Sequence, residues 1–595
     1  MDPLSVFLSA DQDSKTAVID AASSAALSDS GTLGDSTLAG NDYSRGSFEE
    51  FQAAVTTFQS NSIKFEIALP ENKPGVQTQT KQDQENSGEN LQSPPKHNKS
   101  KPSAAPASMS TEAEAGARTF CGQIIEPGRF EQVNHFYPRV LNAQIHPLVS
   151  SFFELGNERI IARYVHLRPM VDQDKLRELL SYRPKYFAWA GSDLFNVTTD
   201  TGQHQMIIVE TNSCPSGQKS MPLLQDTDEC GGYRVVLRSA FDGLLKDTEC
   251  EGELAVIYDK NHMEASGYAA ALAEESGEHV WLVEFHDADA DPPVRWVNRV
   301  MQVRDADESW HSIRACFRYI TQRPWGRIPI NTRTRVLNPV VACLAGGRNK
   351  MMAARAYELL NAELQPYNLG VRVPLTIYNV ARDEVPAWIK SMGGHAVIKN
   401  PYSNAGQGVW TITGPSDLER FMSLDHHYDK FIVQSLVGNA SWSSTTQDGC
   451  FYHVGTVPNK NNNIFVSDLR MMIAAAGDGF CPVSIYARRA RNPLVRRLED
   501  DPKYTSWGML GTNLSVKNQD GSWSTESQRL VLMDRKDFNQ LGIGIDDLID
   551  GYIQTVLSVI AIDKMCQRLV GNGKFDCDLF RALNPDEALI REIQL

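Results

Sequence analysis

The pattern of hydrophobic and polar positions changes character near residue 115. Residues 1–115 are dominated by Ser, Ala, Thr, Asp, Gln and Asn, and all 10 Trp and all 10 Cys lie beyond them. A segment of this composition buries too little apolar surface to offset the entropy lost on ordering, so it is predicted to be a disordered, low-complexity tail. Within this tail, residues 48–65 are a candidate for a short binding helix.

Beyond residue 116, apolar runs of strand length alternate with helical patterns, which predicts an α/β (α+β) fold. Residues 116–250 show a helix and two strands joined by a Thr-Asp-Thr-Gly turn, at 171–180, 186–197 and 205–211. Residues 251–335 alternate as in a small Rossmann-like layer, at 253–258, 264–275, 280–285 and 313–320. Residues 336–595 are predicted to hold a helix at 349–364, strands ending at 399, 437 and 474, and a C-terminal helix at 546–569.

Composition limits the class of protein. The formal net charge of -15 argues against a partner such as nucleic acid or an acidic membrane, because both need a basic surface. The cysteines show no CxxC or zinc-type spacing, and the first basic residue is Lys15, which fits neither a secretory signal nor a transit peptide. The most apolar helix is interrupted by Asp550, Asp563 and Lys564. A cytoplasmic protein is therefore expected.

Candidate chemistry begins at the second strand, Met206-Ile-Ile-Val-Glu-Thr-Asn-Ser-Cys-Pro-Ser-Gly217. Because side chains alternate along a strand, Glu210 and Asn212 are predicted to share one face. A carboxylate beside an amide oxygen suits a hard cation such as Mg²⁺, which normally brings phosphate with it. The pair is weak evidence alone, so its meaning depends on a phosphate site elsewhere in the chain.

A phosphate site is indicated where a strand ending at Lys399 runs into a loop of small residues. Gly406 and Gly408 would let backbone N–H groups approach phosphate oxygens, and the lysine supplies charge. The loop is neither a Walker A nor a GxGxxG motif, and a plain hairpin with a glycine turn explains it about equally well. Ahead of it, Lys350 opens a helix, where a cation opposes the macrodipole unless an anion lies there.

Two further patterns follow. The strand at 431–437 has an edge whose backbone can meet a purine, and Arg470 and Arg488 are placed to clamp phosphate or carboxylate. Each pattern alone is more often an ordinary core strand or a structural salt bridge. Their order along the chain is more informative than any one of them.

In that order, the lysine with its helix, the strand lysine with its glycine loop, the hinge strand and Ser467-Asp-Leu-Arg470 resemble the ATP-grasp ligases over residues 340–515. ATP-grasp proteins normally place a Glu-x-Asn pair after these elements, whereas Glu210 and Asn212 precede them. This arrangement resembles the circularly permuted members, especially eukaryotic-type glutathione synthetase. The resemblance implies a circularly permuted ATP-grasp fold in which the Rossmann-like layer is the pre-ATP-grasp substrate domain.

The resemblance also implies roles for individual residues. Lys350 and Lys399 would hold the phosphates of ATP, and Glu210 and Asn212 would hold Mg²⁺. The remaining ATP-binding residues would be Ser403, Gly406, Gln407, Gly408, Gln434, Ser435, Leu436 and Val437. The predicted catalytic residues are Arg470, Arg488 and Ser216, because the arginines can stabilise a transferred phosphoryl group and the loop at 213–217 would lie near it.

The chain departs from the glutathione synthetase pattern at two places. The family has an arginine where this chain has Gly191, and an acid shortly after the second lysine where this chain has Tyr402-Ser403-Asn404. These departures point away from glutathione synthetase activity itself. Asp193 is predicted to supply the missing metal carboxylate. A competing metal pair, Glu592 and Gln594, would suit an unpermuted order, although no small-residue loop follows it.

The expected activity is ATP- and Mg²⁺-dependent ligation of a small-molecule carboxylate to an amine through an acyl phosphate, with a homodimer as a candidate assembly. Two alternatives stay open: a non-catalytic ATP-binding regulatory or scaffold protein, and a ligase that modifies proteins or polyamines. Cys214 is also a candidate nucleophile, although the sequence offers no cue to a residue that would act as its base.

Overall fold

A computed structural model describes residues 121–246, 248–287, 289–403, 406–447, 449–498, 504–517, 523–571 and 573–593. The predicted tail at 1–115, with its candidate helix, lies outside them. Within them, helices surround three large sheets, so the predicted α/β class is confirmed. None of the described helices has the length and apolarity needed to cross a membrane. All ten cysteines are free thiols.

The first sheet is the predicted Rossmann-like layer. Its central strands, Val280–Glu284, Glu253–Tyr258 and Trp310–Tyr319, run parallel, and the helix His262–Ser276 connects the strands Glu253–Tyr258 and Val280–Glu284. Four further strands complete this seven-stranded sheet: Gln123–Ile125, Val294–Val297, Val300–Arg304 and Arg335–Leu337. Residues that follow the parallel strands are therefore gathered at one edge of the layer.

The second sheet is antiparallel and carries the predicted lysine strand. Its four strands are, in spatial order, Thr376–Ala381, Lys430–Gln434, Ala396–Lys399 and Val409–Ile412. Lys399 pairs with Val409 on one side and Ile432 on the other, so it lies on an inner strand. Apolar side chains of the sheet pack against the helices Val385–Ser391 and Pro415–Ser423, which fixes the strand that presents the lysine.

The third sheet joins segments that are far apart in sequence. Its strands are, in spatial order, Phe451–His453, Trp189–Thr199, Ser467–Ala476, Gly479–Arg489 and Leu530–Val531, and His204–Asn212 also pairs with Trp189–Thr199. Strands from the predicted segments 116–250 and 336–595 thus share one sheet. The division of the chain into four domains stays a prediction.

The helix Ile545–Leu569 packs against this third sheet. A buried hydroxyl cluster joins them: Ser192 and Thr211 lie within 2.9 Å of one another, and Thr211 donates to Ser558 at 3.0 Å. The helix begins one residue before its predicted start and ends where predicted. Its deep burial explains why its sequence is apolar on nearly all sides.

The remaining elements agree with the sequence pattern to within a few residues. The predicted strand at 430–437 ends at Gln434, and the strand predicted to end at 474 begins at Ser467. The other described α-helices of at least four residues are Gln132–His135, Pro138–Leu141, Pro147–Phe153, Gly156–Leu167, Gln173–Leu180, Gly232–Val236, Asp242–Leu245, Lys350–Leu364, Ser506–Leu510, Cys577–Leu583 and Glu587–Ile593. Two short ladders pair Ser515–Lys517 with Trp523–Thr525 and Val570–Gly571 with Lys574–Phe575.

Candidate active site

One cavity of about 320 Å³ collects most of the predicted site residues. Its walls come from the lysine sheet, the third sheet and the edge of the Rossmann-like layer. The predicted residues that line it are Asp193, Glu210, Asn212, Ser216, Lys350, Lys399, Ser403, Gly406, Gln434, Ser435, Leu436, Val437, Arg470 and Arg488. Gln407 and Gly408 do not line it. The Gly408 carbonyl instead accepts from Asn400 N at 2.8 Å, closing the base of the loop.

Glu210 and Asn212 share the cavity wall, as the strand period predicts. Glu210 is partly exposed, and one of its oxygens lies 3.3 Å from the Lys350 ammonium. Asn212 is buried, and its Oδ1 accepts from Arg348 at 3.3 Å. An amide oxygen has two lone pairs, so this bond leaves one of them available to a cation.

The two lysines reach the cavity from different elements. Lys350 is the first residue of its helix, capped by Asn349, and its ammonium donates to the Ser403 carbonyl of the glycine loop. Lys399 is buried and donates to Gln434 Oε1 at 2.7 Å. Burial lowers the pKa of Lys399 to about 8; the nearby carboxylate of Glu210 opposes this shift, and the charge of Lys350 adds to it. A buried ammonium with a neutral partner is well suited to an anion.

The hinge after the lysine sheet is mostly apolar where it meets the cavity. The Ser435 N–H donates to the Leu375 carbonyl at 2.8 Å, and the Leu436 N–H donates to Ser444 Oγ at 2.7 Å. These backbone groups are therefore engaged within the protein. Four apolar side chains line the cavity and are together called the apolar slot: Phe195, Val397, Leu436 and Val437.

Asp193, the predicted third metal ligand, lies between two arginines. Its oxygens accept from Arg470 at 2.6 and 2.8 Å, and the second also lies 2.9 Å from Arg488. Although burial disfavours the carboxylate, these guanidinium groups hold its pKa well below the usual range. Metal ligation by Asp193 stays a prediction, and the geometry weighs against it because both oxygens already bind arginine.

The two arginines are fixed by cross-strand pairing. Arg470 faces Asp193 across the third sheet, and Arg488 faces Asp468. Arg488 donates to Asp468 at 3.0 Å, and Asp468 also accepts from Thr512 at 2.8 Å. Because Asp193 and Asp468 compensate the charges of the two arginines, both arginines are rigid donors at the cavity wall.

The loop after Asn212 is organised by one buried acid, Glu264 of the Rossmann-like layer. Its carboxylate accepts from Ser216 Oγ at 2.5 Å, and from the N–H groups of Gly217 and Gln218 at 2.6 and 2.8 Å. The Ser216 carbonyl in turn accepts from Arg470 at 3.2 Å. The loop is thereby held against the catalytic candidates.

Cys214 belongs to the same loop and lines the cavity, but its environment does not activate it. Burial is the largest effect on this thiol, and it raises the pKa above the ordinary cysteine value. The thiol donates to the Arg318 carbonyl at 3.3 Å. A nucleophilic cysteine needs a lowered pKa, so the geometry weighs against this role.

The glycine loop lies beside the segment of Trp507, and both line the cavity. A side chain at Gly406 would meet Trp507 at 2.9 Å, and the backbone there has φ +75°, which favours glycine. Thr411 and Ser506 hydroxyls lie 2.7 Å apart. Residues 404–405, at the position of the missing family acid, lie outside the described residues.

The competing C-terminal metal residue has a structural role. Glu592 accepts from Arg323 Nε at 2.9 Å and from the Trp325 N–H at 2.5 Å, and it does not line the cavity. Its predicted companion Gln594 lies outside the described residues. The N-terminal pair is therefore better placed for nucleotide chemistry.

The sequence pattern missed two cations of the cavity, Lys260 and Arg348. Both line it, as does Lys219 in residues 218–220, which the sequence offers as a possible substrate-binding segment, and Arg348 donates to the Cys214 carbonyl at 2.8 Å. Lys260 follows a buried parallel strand, a position where α/β proteins commonly bind ligands, so this signal was present in the sequence. Altogether the lining contains seven Lys and Arg and three Asp and Glu, a positive excess within an acidic protein.

Comparison with protein families and with characterised protein sequences finds no match for this chain. Solved structures do resemble it. A RimK-domain ATP-grasp protein from Sphaerobacter thermophilus is 14% identical over 42% of this chain and 93% of its own, with a TM-score of 0.23. A glutathione synthetase-like effector from Globodera pallida is 9% identical over 62% and 88%, with a TM-score of 0.31.

D-alanyl-alanine synthetase A from Vibrio cholerae is 10% identical over 52% of this chain and 99% of its own, with a TM-score of 0.26. These identities and TM-scores are too low to assign a function to this chain.

Proposed function

We propose that this chain is an ATP- and Mg²⁺-dependent carboxylate–amine ligase of the ATP-grasp type, with its motifs in circularly permuted order. The observation that carries the proposal is the convergence of Lys350, Lys399, Glu210 and Asn212 on one cavity beside an apolar slot. The two lysines lie between 138 and 189 positions after the Glu210 and Asn212 pair. Phosphate, metal and ring-binding groups are the set that a nucleotide requires.

The residues fit Mg²⁺ only together with phosphate. Within the described ranges, no cluster of three or more His, Cys, Asp and Glu forms a metal cage. Glu210 and Asn212 Oδ1 offer two oxygens, and Mg²⁺ commonly takes one or two protein ligands and completes its shell with phosphate and water. These two residues would hold the ion, which when bound neutralises phosphate charge.

The reaction would need positioning and charge neutralisation more than proton transfer. The oxygen of the substrate carboxylate attacks the γ-phosphorus of ATP, the bond to the bridging oxygen breaks, and ADP leaves. The amine then attacks the carbonyl carbon of the acyl phosphate, forms the amide and displaces phosphate, with loss of one proton to solvent. Arg470 and Arg488 would stabilise the transferred group, and the Ser216 loop would orient it.

The covering segments would protect the acyl phosphate. An acyl phosphate hydrolyses readily, so water must be kept out between the two steps. Gly406 of the glycine loop lies against Trp507 at the cavity wall, and Lys350 donates to the Ser403 carbonyl of the loop. We propose that these segments close over the bound substrates. Ser403, Gln407 and Gly408 would act in this cover rather than as separate phosphate ligands.

A second candidate function is nucleotide binding without ligation. It is favoured by Asp193, whose engagement with two arginines leaves Glu210 as the clear carboxylate for a metal among the described lining residues. A regulatory protein of this kind would bind ATP but release no ADP on adding carboxylates and amines.

ADP release distinguishes the two functions. The full chain is incubated with ATP, Mg²⁺ and a metabolite extract, and products are compared with those of Lys399→Ala and Glu210→Gln. A ligase gives ADP and a new amide product that both variants reduce at least about a hundredfold. ATP binding without ADP release in any fraction supports the regulatory protein, and unchanged turnover in both variants rejects the site. Adding peptides or polyamines tests the macromolecular and polyamine substrates.

A further inference from the structure

The cavity contains a second group of cations that the nucleotide does not need. Lys260 follows the strand Glu253–Tyr258 and lines the cavity together with Lys219 and Arg348. The two phosphate-binding candidates have other neighbours: Lys350 lies 3.3 Å from Glu210, and Lys399 donates to Gln434.

The ammonium of Lys260 is not neutralised by a nearby carboxylate in the described part of the chain, unlike that of Lys219. Among the described residues, its ammonium has neither a hydrogen-bond partner nor a carboxylate within ion-pair distance. Its neighbour Asp259 is already committed, because it accepts from the Thr321 and Gln322 N–H groups at 2.8 and 2.7 Å and from Arg327 at 3.0 Å. Lys219, by contrast, lies 3.8 Å from Glu264.

The surroundings of Lys260 disfavour its charged form. Burial, then the positive charge of Arg348, lowers the pKa of Lys260 to about 8; Asp259 acts in the opposite direction, and Arg470 lowers the pKa further. A lysine held in this way beside two guanidinium groups is costly to the folded protein unless an anion binds between them. A ligand carboxylate is an anion of the right size and charge.

We propose that Lys260 binds a second anionic group of the substrate, so that the carboxylate substrate is a dicarboxylate or a compound of equal charge. One carboxylate would lie at Arg470 for phosphorylation, and the other at Lys260 and Arg348. This inference rests on the proposed ligase function and narrows its substrate class. It assigns Lys260 to specificity, and no bond to it forms or breaks.

A matched ligand series tests the inference on the full chain in the presence of ADP and Mg²⁺. The probes are malonate, succinate, glutarate, adipate, aspartate and glutamate, each compared with the monocarboxylate that lacks one acid group. Calorimetric titration gives the affinity of each member for the wild type, for Lys260→Met and for the exposed control Lys390→Met. ADP affinity is measured in the same samples.

At least one dicarboxylate is expected to bind the wild type and Lys390→Met about tenfold or more tightly than its monocarboxylate. Lys260→Met removes that preference and leaves ADP affinity within about twofold. The inference is overturned if no dicarboxylate is preferred, or if Lys260→Met keeps the preference. If the wild type does not bind ADP, the proposed function is rejected instead. The failure of the inference and the failure of the proposed function are therefore distinguishable.

Discussion

The Lys350 ammonium lies 3.3 Å from Glu210 Oε1, although the two residues are 140 positions apart in the chain. One was predicted to hold phosphate and the other a metal, and the fold places them as neighbours on one wall. In a nucleotide site these roles are adjacent, because the ion bridges the phosphates that the lysine binds.

This pairing predicts opposite effects of two substitutions. Lys350→Met weakens ADP binding by at least about tenfold with or without Mg²⁺, because a charge-assisted bond is lost. Glu210→Gln leaves metal-free ADP binding unchanged or tighter, because a negative charge beside the phosphates is removed, but it abolishes the gain from Mg²⁺. Titrations with ADP in EDTA and in Mg²⁺ measure both. A full Mg²⁺ response in Glu210→Gln contradicts the metal assignment.

Nucleotide affinity is predicted to fall at alkaline pH. The ammonium of Lys399, which faces Gln434, Glu210, Lys350 and Asp193, has a pKa of about 8. It is protonated and able to bind phosphate below that pH, and it loses its charge above it. From pH 7 to pH 9 the protonated fraction drops from about nine-tenths to about one-tenth, which lowers ADP affinity about tenfold.

Lys399→Arg is the matched control for this dependence, since a guanidinium group stays charged over the whole range. The variant is expected to bind ADP with an affinity that changes less than about threefold between pH 7 and 9. An equally steep decline in Lys399→Arg would assign the titration to another group. A flat wild-type profile would contradict the role of Lys399.

The local features of the cavity can be predicted from the sequence, because each depends on residues that are close together in the chain. Alternation along a strand correctly places Glu210 and Asn212 on one wall, because the two-residue period is local geometry. The helix starting at Lys350 is predicted by its Asn349 cap and apolar pattern. The strand Glu253–Tyr258 matches its predicted bounds, because a short run of apolar residues of this length favours a buried strand.

The sequence does not predict contacts between residues that are far apart in the chain. That Asp193 faces Arg470 follows from strand pairing across 277 positions, so its carboxylate was assigned to a metal instead of an arginine pair. The sequence predicts Glu264 only as part of a helix, because the four groups that donate to its carboxylate belong to a distant loop and strand. Lys260 differs from these two residues, because the predicted alternation of strands and helices already places it just after a buried strand, and only its approach to Arg348 and Arg470 depends on the assembled fold.

Glu264 is predicted to be the chief organiser of the loop after Asn212. Glu264→Gln turns one acceptor oxygen into a donor facing N–H groups, which lowers the free energy of unfolding by about 2–4 kcal/mol and reduces turnover. Tyr319→Phe removes only one bond to the same carboxylate, of 3.0 Å, and costs about 1 kcal/mol. Urea unfolding of both variants measures the difference. Equal stability of the two variants would contradict this role.

Glu592 is predicted to be structural. Glu592→Gln weakens the contacts with Arg323 and the Trp325 N–H, and it lowers the free energy of unfolding by about 1–3 kcal/mol. The Mg²⁺ dependence of ADP binding is expected to match the wild type, in contrast to Glu210→Gln. If Glu592→Gln folds stably but its ADP binding no longer depends on Mg²⁺, the metal site would lie at the C-terminus instead.

A crystal structure with ADP and Mg²⁺ tests the central claim most directly. The account predicts phosphate oxygens within hydrogen-bond distance of Lys350 and Lys399, the base in the slot of Phe195, Val397, Leu436 and Val437, and the ion on Glu210 and Asn212. Nucleotide bound elsewhere, or an ion coordinated by Asp193 or Glu592 in place of that pair, would contradict it.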